Sequence, residues 1–98
     1  MNRAQFNVAL QCAAAPADAS IPLQALWHLL HNDWDAAHRV VQDLETPDVA
    51  WMHAHLHRVE GDLDNARYWY RKANRAACDG ALQEERETML TAWLERDA

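Results

Sequence analysis

Apolar residues recur at intervals of three and four along most of the chain, the spacing of one face of an α-helix. Leu23, Leu26, Trp27 and Leu30 form the first clear stripe. Trp34, Ala37, Val41 and Leu44 form the second, and Val49, Met52, Leu56 and Val59 the third. A fourth stripe holds Leu63, Ala66, Tyr70, Ala73 and Ala77, and a fifth Leu82, Met89, Leu90 and Trp93. A weaker helical stretch over about residues 3–14 precedes them and stops before Pro16. No segment alternates polar and apolar residues over a useful length, so strands are not expected. The pattern predicts an all-α chain.

The few prolines and glycines punctuate that pattern. Ser20-Ile21-Pro22 and Thr46-Pro47-Asp48 each place a hydroxyl and a proline where a helix should open. Asn32-Asp33, Gly61-Asp62 and Asp79-Gly80 fall where one helix should close and the next begin. Gly61 occupies the position that favours a left-handed residue. The 98 residues suffice for one core, so residues 1–98 are expected to form a single domain.

Two of the turns read as copies. Asn32-Asp33-Trp34-Asp35-Ala36-Ala37 matches Gly61-Asp62-Leu63-Asp64-Asn65-Ala66 at an offset of 29 residues (62 − 33), each with an apolar helix on either side. With Tyr70 and Ala73 behind it, the second copy resembles the second half of a tetratricopeptide motif. There a small residue and an acid mark the turn, and an alanine lets two helices approach closely. The first copy departs from the motif, with Asn32 for the turn glycine, Val41 for the aromatic and Leu44 for the later alanine. Its spacing also falls short of the ~34 residues usual for such repeats.

The resemblance covers about residues 21–76. It implies two antiparallel helix-turn-helix repeats with N- and C-terminal capping helices. It also implies that the first helix of each repeat lines a concave groove. In the second repeat the matching positions are Asp48, Trp51, His55 and Arg58, and an aromatic, an imidazole and a guanidinium on one stripe suit a peptide carboxylate. The first repeat offers Pro22, Leu26 and Leu29 instead, an apolar face expected to be covered by the N-terminal helix or by a second copy in a homodimer. The function expected is a non-catalytic interaction or assembly module for a protein or peptide partner.

Charge narrows the field of partners. Nine basic residues against 15 acidic give a net charge of −6, the wrong sign for a phosphate-neutralising surface, so no nucleic-acid partner is expected. Arg67, Arg71 and Arg75 form a basic stripe beside Tyr68, expected to be a solvated face paired with Glu84, Glu85 and Glu87. Cys12 and Cys78 show no framework spacing and are expected as free thiols. The N-terminal stretch makes a poor signal peptide, and no run approaches membrane-spanning length. A cytoplasmic location without membrane association is expected.

Histidine supplies the candidate chemistry. On a helix His53 and His57 are four residues apart and share a face, which Glu60 continues, while His55 points away. Two imidazoles and a carboxylate can bind a small ligand or a divalent metal, provided further ligands come from another helix. The plainer alternative is a pair of buried histidines that hydrogen-bond Glu60 or a tryptophan N–H. A lone serine at Ser20, two glycines and the lack of HExxH or paired carboxylates leave no recognisable catalytic set or cofactor motif. No enzyme activity or cofactor is therefore expected.

Overall fold

The computed structural model describes residues 1–97. Among them are six helices and no strand: α1 (Arg3–Ala9), α2 (Ile21–Leu30), α3 (Trp34–Val41), α4 (Pro47–Glu60), α5 (Leu63–Lys72) and α6 (Leu82–Asp97). The most intimate neighbours are α2 with α3 and α4 with α5, each pair joined by a turn of two or three residues.

Those two turns share one conformation. Asn32 and Gly61 both adopt positive φ, at 60° and 85°. Directly after them, the amides of Asp33 and Asp62 reach back to the carbonyls of His28 and His57, at 3.0 and 2.9 Å. That six-to-one bond satisfies carbonyls that the helix end would leave bare. Each aspartate then caps the next helix by accepting from the backbone N–H three residues on, Ala36 at 3.0 Å and Asn65 at 3.3 Å. Pro22 and Pro47 stand in the first turns of α2 and α4, where a missing N–H costs nothing. The hydroxyls of Ser20 and Thr46, expected as caps, make no capping hydrogen bond.

Helix α4 is the axis of the core. Every residue from Val49 to His57 is buried, because α2, α3, α5 and α6 all pack around it. Leu26, Met52, Leu56 and Met89 are completely buried, each such side chain stabilising the fold by about 1.5–3 kcal/mol. Ala37 and Ala66 are buried at matching points of the two hairpins, where a larger side chain would hold the helices apart. Pro22, Leu26 and Leu29 are also buried within the single chain. Trp27, on the same helix, donates its indole N–H to the Ala9 carbonyl of the α1 end at 2.7 Å.

Three expectations are corrected. Helix α1 ends at Ala9, not near residue 14, since within it only Phe6 and Ala9 are buried and residues 11–14 are all exposed. Helix α5 ends at Lys72, with Asn74 at φ 57°, so Ala77 lies outside the helix and is exposed. Leu44 and Leu63, placed on buried stripes by spacing, are 40% and 54% exposed at the margins of their helices. No helix of the described chain is long and apolar enough to cross a membrane. Cys12 and Cys78 are free thiols.

Candidate functional site

Helices α3 and α4 bring three imidazoles to one point. His53 and His57 lie on one face of α4, and His38 reaches them from α3. One ring nitrogen of each lies within 4.8 Å of the others, and the Nε2 atoms of His38 and His53 are 3.0 Å apart. Indoles hold the rings in place. Trp34, one turn before His38, stacks on it at 4.8 Å and 9°, and its own N–H is tied to the Leu56 carbonyl at 2.7 Å. Trp69 of α5 stacks on His53 at 3.9 Å and 16°.

The protonation pattern follows from those contacts. Burial pushes the His53 pKa down to about 3, with His57 and His38 adding to the effect. Burial likewise lowers that of His38, again helped by His57. Both rings are neutral at ordinary pH and keep a lone pair. His57 Nδ1 lies 2.6 Å from Glu60 Oε1, so Nδ1–H donates to the carboxylate and Nε2 is left to coordinate. His53 Nδ1 is buried with no hydrogen-bond partner. His57, Glu60 and Asp62 form a second, more exposed group, but Asp62 is already engaged as the cap of α5.

The stripe expected to line a partner groove is built differently. Trp51, His55 and Arg58 do converge, but on a carboxylate of the same chain, Glu85 of α6. Trp51 Nε1 donates to it at 3.1 Å, His55 Nδ1 at 2.5 Å, Arg58 Nη1 at 2.8 Å and the Tyr70 hydroxyl at 2.5 Å. Arg86 donates from Nε to His55 Nε2 at 3.0 Å, which makes Nε2 the acceptor and leaves the proton on Nδ1. Arg58 also donates to the Gly80 carbonyl. Trp51 and His55 are buried beneath α6 and Arg58 is mostly so; they face α6 rather than solvent. Asp48 sits apart in the first turn of α4, beside a separate cleft with Thr46, Ala73 and Arg75.

Electrostatics make Glu85 the charged member of this cluster. Burial pushes its pKa up, but hydrogen bonds from His55, Tyr70 and Arg58 outweigh that and bring it to about 2. Burial lowers the pKa of His55, which is neutral, and raises that of Tyr70. The pairing expected between the arginine stripe and α6 is corrected accordingly. Glu85 pairs with Arg58, Glu87 with Arg3 at 2.9 Å, and Arg67 with Asp64 of its own helix. Arg75 lies 3.6 Å over the Trp51 ring, its cation against the indole face.

Sequence reasoning found His53, His57 and Glu60 but missed His38, Glu85 and Arg86. A signal for His38 existed in the Trp34-x-x-x-His38 spacing, which places an aromatic and an imidazole on one face of the helix before α4. None existed for Glu85, one of three glutamates within four residues of α6. Comparison of the chain with family models, curated proteins and solved structures finds no match in any of the three.

Proposed function

We propose that this protein binds a divalent transition-metal ion through His38, His53 and His57, with Glu60 orienting His57 from outside the coordination sphere. The observation that carries this is the meeting of three imidazoles from two helices at one point. Nitrogen ligands about 2.0–2.1 Å from zinc stand about 3.3–3.4 Å from one another in a tetrahedron. The 3.0 Å separation of His38 and His53 is close to that figure, so small rotations open the space an ion needs. A carboxylate on the far nitrogen of a ligating histidine is the usual outer partner, and Glu60 has that place. An all-imidazole set without thiolate suits Zn²⁺, Cu²⁺ or Ni²⁺.

Isothermal titration of purified, chelator-treated protein with Zn²⁺ tests the proposal. One ion per chain is expected, with at least tenfold weaker binding by His38→Ala and His53→Ala and none of that loss in His28→Ala. Absence of binding by Zn²⁺, Cu²⁺ and Ni²⁺ at micromolar concentrations, or unchanged binding by His53→Ala, overturns it.

A partner-binding module on a tetratricopeptide-like stack is the second reading. What favours it is that Trp51, His55 and Arg58 recognise a carboxylate, here that of Glu85. A partner helix would have to take the place of α6. Under this reading Glu85→Gln loosens α6 and admits a labelled peptide of residues 81–97 that the parent excludes, measured by fluorescence anisotropy. No binding by either protein removes it.

A further inference from the structure

We infer that the His38–His53–His57 site leaves one coordination position to an exchangeable small ligand, water or a monodentate donor such as azide or imidazole. This rests on the metal-site reading and asks what else the ion would hold.

Three protein ligands leave a tetrahedral ion one position short. Among the described residues no further histidine, cysteine, aspartate or glutamate lies within 4.8 Å of all three ring nitrogens. Glu60, hydrogen-bonded to His57, is committed to that ring's Nδ1. Both thiols lie outside the group, Cys12 in the exposed segment after α1 and Cys78 between α5 and α6. Among the described residues no histidine, cysteine or carboxylate is therefore placed to be the fourth donor, and a small molecule such as water takes that position.

Access and size follow from the surroundings. His53 and His57 are buried, but His38 is only half-buried, so the site reaches solvent on the α3 side. The indoles of Trp34 and Trp69 lie at stacking distance on His38 and His53 and crowd the site, which suits a ligand of a few atoms rather than a bulky chelate. Asp35 and Glu60 lend negative potential near His38. A site closed by four protein ligands braces a fold, whereas three ligands with an open position hold an ion that can take up and release another molecule.

The full-length protein loaded with Co²⁺ tests this by its visible spectrum and by the relaxation of bulk water. Saturable changes in the cobalt bands on adding imidazole or azide, with water relaxation that falls in parallel, are expected. The same titration of His28→Ala should match the parent. If cobalt binds one per chain but neither probe alters its bands and water relaxation stays at the level of a closed site, the open position is refuted while the metal site stands. One cobalt per two chains by sedimentation and metal analysis refutes it too, since a second copy then supplies the missing donor. If no cobalt, zinc or copper binds, the metal-site reading itself falls and takes this inference with it.

Discussion

A carboxylate almost sealed from water survives only with enough donors, and Glu85 has four, from Trp51, His55, Arg58 and Tyr70. Removing it strands the buried charge of Arg58 and the hydroxyl of Tyr70. Glu85→Ala is therefore expected to destabilise the protein by about 3–5 kcal/mol, read as a lower urea midpoint at unchanged slope. Acid should act on the same residue. With its pKa near 2 in the fold against 4.5 in the unfolded chain, Glu85 contributes stability that is full above pH 4.5 and lost as pH falls toward 2. His53 acts earlier. Its pKa drops from 6.5 to about 3 on folding, so the unfolded chain binds the extra proton and metal-free protein weakens as pH falls below 6.5. Melting temperature measured from pH 8 to 2 should decline in these two steps, and Glu85→Gln should lack the lower one.

At the scale of helices, the turns set the register. Gly61 sits at φ 85° with open space where a Cβ would go, so a substitution there meets backbone strain and no clash. Gly61→Ala should destabilise by about 1–2 kcal/mol in urea unfolding. Ala66 is the opposite case, with a fitting backbone but no room: Ala66→Leu should lower stability by about 1–3 kcal/mol in thermal melts. The helices themselves were legible because their apolar stripes and their proline and aspartate starts are local signals. Ends were harder to see. Asn74 closes α5 in a left-handed conformation that asparagine only sometimes adopts, and the alanines after it continue the helical spacing without needing to be buried. His53 and His57 could be paired from their own helix, whereas His38 joins them only through the packing of α3 on α4. Glu85 was the least visible, since a glutamate among glutamates looks solvated until α6 is laid over Trp51.

For the molecule as a whole, an ion at the histidines should stabilise the folded state. Zn²⁺ at a hundred times its dissociation constant is expected to add about 2.7 kcal/mol, seen as a raised melting temperature in the parent and none in His53→Ala. The placement of the ligands carries a mechanical consequence. His38 belongs to the hairpin of α2 and α3, while His53 and His57 belong to that of α4 and α5. Between the two hairpins the chain passes through a single short link over residues 42–46. An ion there would rivet the seam at its midpoint. Amide exchange in α3 and α4 would then slow together on loading, and a chelator would free both halves at once.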